Sequence, residues 1–104
     1  MAAYRIDVSE PAENDLRDIV RYISAQLDAP LTALKMLDMI DEALNGLEDM
    51  PQRCPLARDE RLAAMGYRKL IIKSYIAFFT IDENRKVVDV ERILYARRDW
   101  LRIL

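Results

Sequence analysis

Two stretches in the last third of the chain set cations beside aromatic rings. Residues 61 to 81 carry Arg61, Arg68, Lys69 and Lys73 with no Asp or Glu, and enclose Tyr67 and Tyr75. Residues 92 to 104 carry Arg92, Arg97, Arg98 and Arg102 against Asp99 alone, with Tyr95 and Trp100 between them. Cations hold phosphate while an aromatic ring takes a stacked base, each such stack being worth about 1–3 kcal/mol. The pattern makes Lys69, Lys73, Tyr75 and Arg97 candidate nucleic-acid contacts. The same residues also suit a solvated sheet face with its tyrosines in the core, and the pattern alone leaves both open.

The chain has no histidine and one cysteine among 104 residues. A Ser-His-Asp relay, a histidine acid or base, and histidine-containing metal sites are therefore excluded. Any reaction falls to Asp, Glu, Lys, Arg and Tyr. Cys54 stands beside Pro55 and close to Met50 and Pro51, with no histidine to activate it, so it is expected to pack rather than react. A lone thiol also rules out a disulfide within the chain. The acidic residues are spread along helical stretches as a solvated face requires, so neither a metal nor another cofactor is expected.

Charge divides by half. Residues 1 to 60 hold six Lys or Arg against thirteen Asp or Glu, a net of −7, while residues 61 to 104 hold ten against five, a net of +5. The overall −2 thus conceals an acidic half and a basic half, an asymmetry that points to a polyanionic partner at the basic one.

The elements that must position these residues follow from periodicity. Tyr4, Ile6 and Val8 alternate with polar residues over positions 3 to 8, as in a half-buried strand. Ser9 or Glu10 can cap a helix with Pro11 in its first turn, and Ala12, Leu16, Ile19, Val20, Ile23 and Leu27 recur at helical spacing. After Asp28-Ala29-Pro30 a second helix is expected, with Leu34, Leu37, Ile40, Leu44 and Leu47 as its buried stripe, until Pro51 stops it. Met36, Met39 and Met50 broaden that face and are expected in the core. Residues 51 to 66 read as a loop with a helical turn near Glu60 to Met65. Three β-rich runs follow, Tyr67 to Ile72, Tyr75 to Ile81 and Val87 to Tyr95, joined by links short enough for antiparallel neighbours. The expected fold is α+β: a strand, a two-helix hairpin, then a three-stranded antiparallel meander, forming one mostly antiparallel sheet with the helices on one face. Residues 1 to 104 are expected to make a single domain. Met1 through Glu10 contain no continuous apolar run, so no secretory signal or membrane span is expected and the chain should remain in the cytoplasm.

The stretch Val90-Glu91-Arg92-Ile93-Leu94-Tyr95-Ala96-Arg97-Arg98-Asp99-Trp100 resembles the RelE/ParE toxin family. It is preceded by Gly66-Tyr67-Arg68-Lys69-Leu70 and Tyr75-Ile76-Ala77-Phe78-Phe79, and the order of elements agrees across nearly the whole chain. The resemblance implies the toxin of a bacterial type II toxin-antitoxin pair, held inactive by a cognate antitoxin whose extended or helical tail wraps it. In the RelE branch, toxins enter the ribosomal A site and cut mRNA without metal, through attack of a ribose 2′-hydroxyl on the adjacent phosphate. That chemistry needs a base, cations on the developing charge and an acid for the leaving oxygen.

Carried onto this chain, the resemblance gives the cationic role to Arg68 or Lys69 and to Arg98 with Arg97, because the planar guanidinium stays charged and can grip phosphate with two donors. Tyr95 becomes the proton carrier or a stacking residue, with an ordinary pKa near 10 that makes it a weak base. Arg68, Arg98 and Tyr95 are thus the candidate catalytic set, with ribosome and mRNA as partners. Two departures stand out: Tyr75 occupies a position where the RelE branch has arginine, and Leu104 one where it has a tyrosine. The Arg92 to Asp99 segment also resembles the ParE branch, whose members poison DNA gyrase and need no nuclease site. Translation inhibition by mRNA cleavage, gyrase inhibition by binding, and an inert toxin-like interaction module all remain open on the sequence.

Overall fold

The structure, a computed structural model, describes residues 3 to 96. In chain order its main elements are strand β1 (Arg5–Val8), helix α1 (Glu10–Arg21), helix α2 (Pro30–Asn45), a one-turn helix α3 (Glu60–Ala64), and strands β2 (Arg68–Ile72), β3 (Tyr75–Asp82) and β4 (Val87–Tyr95). A π-helical turn, Tyr22–Gln26, continues α1 towards the hairpin bend.

The expected capping holds in detail. The Ser9 Oγ accepts the Ala12 N–H at 3.1 Å and donates to the Glu91 carbonyl at 2.8 Å, so one hydroxyl starts α1 and ties it to β4. Pro11 occupies the first turn, where its missing N–H has no helical partner to lose. The link to α2 passes through Asp28, whose φ of 50° places it in the left-handed region that Asp tolerates better than most residues.

The four strands lie in the order β1-β4-β3-β2. The β2–β3 and β3–β4 pairs are antiparallel, as two tight links demand. The β1–β4 pair is parallel, because the helical hairpin carries the chain across the sheet before it returns. The sheet is therefore mixed, with the expected meander on one side and β1 as the parallel addition. A bulge interrupts β3–β4: Phe78 pairs with Arg92 and Phe79 with Val90, which leaves Glu91 as the extra residue.

The main core lies between helices and sheet, where Ala12, Ile19, Ile23, Ile40 and Leu44 meet Ala77, Phe79, Val88 and Val90. On the other face, Ile76, Phe78 and Leu94 form a smaller buried cluster with Tyr67 and Ala96 against it. Phe78 and Phe79 are both fully buried on opposite faces of β3, as that doubly apolar strand predicts. Each such burial contributes about 1.5–3 kcal/mol.

Two expectations about α2 need correction. The buried stripe runs through Ala33, Ile40 and Leu44, continuing to Leu47, while Leu34 and Leu31 are exposed. At the hairpin tip, small Ala33 meets the core and the larger leucines point outward. Of the three methionines expected inside, only Met36 packs against the core; Met39 is partly exposed and Met50 is 70% exposed. Met50 sits in a left-handed conformation before Pro51, where the chain leaves the helical layer.

Candidate functional site

The residues singled out by sequence fall at two separate places on the sheet. Arg68 lies at the start of β2 opposite Phe79, whereas Tyr95 closes β4 opposite Tyr75. Phe79 and Tyr75 are four residues apart on β3, roughly 13 Å at about 3.3 Å per residue. Arg68 and Tyr95 thus do not converge on one reacting phosphate. Arg97 and Arg98 lie outside the described residues.

Arg68 is already engaged. Its guanidinium donates to the Cys54 carbonyl at 2.7 Å and the Gln52 carbonyl at 3.3 Å, fastening the turn around Pro51–Arg53 to β2. The arginine thereby gives hydrogen-bond donors to backbone carbonyls of the turn before β2. Lys69 is half-buried beside it, and its backbone N–H donates to the Pro55 carbonyl. Lys73 is exposed in the tight β2–β3 link, with a φ of 56°.

Tyr75 and Tyr95 form a cross-strand pair with ring centroids 5.9 Å apart and planes inclined by 69°, an edge-to-face arrangement. Burial pushes the Tyr75 phenol above its ordinary range, with Tyr22 and Tyr95 adding to the effect. Tyr95 keeps 42% of its surface in solvent. The two rings and Tyr22 border an open groove of about 680 Å³, floored by Ile19, Met36 and Ile93. The groove is lined by the π-helical turn of the hairpin, the start of β3 and the last residues of β4. Its lining is largely apolar with hydroxyls at the rim, a surface suited to side chains of a protein partner as much as to a base.

Several cations of the basic half are engaged within the fold. Arg92 pairs with Asp15, Lys86 with Glu83 at 3.5 Å, and Arg68 with backbone carbonyls. The face that carries Tyr67 also carries acids: burial, and then Asp89, raise the Glu91 carboxyl above its usual range, and Glu91 in turn helps raise Tyr67 after burial. The charge of a segment counted along sequence ignores which cations are neutralised by helices folded back over them.

The most constrained polar group escaped the sequence reading. Asp15 is buried at 9% exposure. Its carboxylate accepts two donors of the Arg92 guanidinium and the Ile93 N–H. The signal was available: Asp15 stands at helical spacing between Ala12 and Ile19, an acid on an otherwise apolar face. Cys54 is buried as expected, and burial pushes its thiol up, away from thiolate reactivity. No cluster of three or more Cys, Asp or Glu fit to hold a metal occurs among the described residues, and no helix among them is long and apolar enough to cross a membrane.

Comparison with known proteins adds to this geometry. A family model described as the ParE toxin of the type II toxin-antitoxin system parDE matches residues 6 to 100. No curated protein matches. Among solved structures, the chain is similar to a chromosomal ParDE toxin-antitoxin system from P. aeruginosa, with a TM-score of 0.76 and 20% identity over 93% of this chain and 100% of that one. It is similar to the RelBE2 toxin-antitoxin complex of Mycobacterium tuberculosis, with a TM-score of 0.67 and 21% identity over 89% and 98% of the respective chains. The intact E. coli RelBE toxin-antitoxin complex gives a TM-score of 0.60 and 17% identity over 92% and 100%. At these identities the solved structures establish the fold.

Proposed function

The chain belongs to the ParE toxin family of type II toxin-antitoxin systems, and from that premise we propose that it acts by binding, as an inhibitor of DNA gyrase, and is neutralised by a cognate antitoxin. Support for binding over cleavage comes from one observation above the rest. The guanidinium of Arg68, the described cation that a cleavage site would need, is spent on the carbonyls of Cys54 and Gln52. Cleavage of a phosphodiester asks for a base, an acid and phosphate-binding cations held within hydrogen-bond reach of one another. Arg68 and Tyr95 occupy different ends of the sheet instead.

In this reading the working surface is the groove of Tyr22, Tyr75 and Tyr95, with exposed Lys73 two residues before Tyr75; Arg97 and Arg98, the next cations in sequence after Tyr95, lie outside the described residues. Aromatic residues and arginine are the residue types that most often carry the energy of protein interfaces. The apolar groove would take side chains of the target and the cations would face acidic residues around them. The relatives from M. tuberculosis and E. coli are toxin-antitoxin complexes, which supports an antitoxin as the second partner. A cytoplasmic location goes with both proposed partners.

Ribosome-dependent mRNA cleavage is the second reading, favoured by the 42% exposure of Tyr95 immediately before Ala96, Arg97 and Arg98. The two readings separate cleanly in a supercoiling assay run beside primer extension on a translated reporter mRNA. Gyrase inhibition predicts lost supercoiling without new RNA ends; new ends with normal supercoiling would transfer the function to cleavage.

A further inference from the structure

We propose that the groove between α1, the start of β3 and the end of β4 receives an arginine side chain of the target protein, its guanidinium held among the rings of Tyr22, Tyr75 and Tyr95 beside the Asp18 carboxylate. The inference rests on the reading of the chain as an inhibitor that acts by binding, and names the chemistry by which the groove recognises that target.

Helical spacing sets the acidic side of the groove. Asp15, Asp18 and Tyr22 follow one another at intervals of three and four along α1 and the π-helical turn that continues it, so all three line the groove. The Asp15 carboxylate is taken by Arg92 and the Ile93 N–H. Asp18 is the open one. Its side chain is 73% exposed and pairs with equally exposed Arg21 at 3.8 Å, a contact of the kind that contributes little and yields to a better partner.

Across the groove, the strand ends bring Tyr75 and Tyr95 together edge to face. Tyr22 and Tyr95 act after burial in raising the Tyr75 phenol, which puts the three hydroxyls within electrostatic reach of one another. An aromatic ring attracts a cation to its face through its quadrupole, within about 6 Å of the ring centre. Below the rings, Ile19, Met36 and Ile93 give an apolar floor. The lining thus combines three aromatic rings, an available carboxylate and hydroxyl oxygens, and among the described residues it includes no Lys or Arg.

That combination selects an occupant with an aliphatic stem and a positive head. Arginine lays its methylenes along the floor, stays charged, stacks its planar group on aromatic rings and offers its N–H donors to the carboxylate and the phenol oxygens. A phosphate meets carboxylates and no cation in the described lining, and a purely apolar side chain gains nothing from Asp18.

The test is inhibition of supercoiling by purified gyrase, with each variant first shown to be folded. Asp18→Lys, which sets a like charge beside the guanidinium, should raise the concentration needed for half inhibition by about tenfold or more. Glu42→Lys makes the same charge change on exposed surface of α2 outside the groove and should leave that concentration within about twofold. Tyr22→Leu keeps an apolar side chain without the ring and should cost about tenfold, whereas Tyr22→Phe keeps the ring and should cost less than about threefold. Inhibition by Asp18→Lys equal to that of the parent, or a loss in Tyr22→Phe as large as in Tyr22→Leu, overturns the arginine occupant and leaves gyrase inhibition standing. Equal losses in Asp18→Lys and Glu42→Lys assign the effect to net charge and overturn it as well. A parent chain that does not inhibit gyrase removes the binding reading and the occupant together.

Discussion

Arg92 on β4 grips Asp15 on α1 through two donors at 2.8 Å each, and the same carboxylate takes the Ile93 N–H at 2.9 Å. One side chain thereby fixes the helix to the sheet and seals the edge that β1 leaves open. The hydrogen bond to Asp15 raises the Arg92 guanidinium above its ordinary value, burial opposes this, and the opposite charge of Asp15 adds a smaller rise.

Removing one partner of such a pair leaves the other charge half-buried and alone, at a cost of about 3–5 kcal/mol. Asp15→Ala should lower stability by that amount in urea unfolding. Asp15→Asn, which can still accept the Ile93 N–H, should cost less. Equal stability of the alanine variant and the parent would show that the pair contributes nothing net.

Arg68→Ala should reduce stability by about 1.5–3 kcal/mol, the range for hydrogen bonds to a charged group. At a temperature where the variant stays folded, growth arrest on expression should persist. Loss of toxicity in a folded Arg68→Ala protein would return this arginine to a catalytic role.

Glu91 supplies a pH dependence of defined sign. Its carboxyl titrates above its unfolded value, because burial and then Asp89 oppose the charge. The folded state therefore binds the proton more tightly; the associated stability is present below the unfolded pKa of about 4.3 and is lost as pH rises through the folded value. Glu91→Gln should stabilise the protein at neutral pH, with the advantage shrinking as the pH falls through the folded value and gone below the unfolded value of about 4.3. An advantage independent of pH would point to a packing effect instead.

Tyr95→Ala should weaken target inhibition at least about tenfold, the loss expected when an interface aromatic anchor is truncated. Its stability cost should stay near the 0.5–1.5 kcal/mol of an aromatic pair, since the ring is partly exposed. A matched loss of stability and inhibition would reduce Tyr95 to a structural part of the pair with Tyr75.

Much of the fold was legible because the sequence repeats its message at each level. The β1 alternation, the Ser9 cap, Pro11, Pro30 and the three β-rich runs fall within one or two residues of the observed elements. The parallel pairing of β1 with β4 was not legible, since alternation gives a strand its faces but not its neighbour. The outward turn of Leu31 and Leu34 escaped for a related reason, because an apolar stripe is buried only where another element covers it. The site was harder still. Tyr75 and Tyr95 were found and do meet, but the sequence did not show that Arg92 is paired with Asp15 or that the Arg68 guanidinium is turned to the Cys54 and Gln52 carbonyls. Nothing in linear charge records which carbonyl or carboxylate a long side chain will reach.

The central claim is inhibition of gyrase by binding. The most direct measurement is supercoiling of relaxed plasmid by purified gyrase with increasing amounts of the purified chain, repeated after adding the protein encoded beside it. The account predicts a dose-dependent loss of supercoiling that the neighbouring protein relieves. Undiminished supercoiling at a large excess of folded toxin would contradict it.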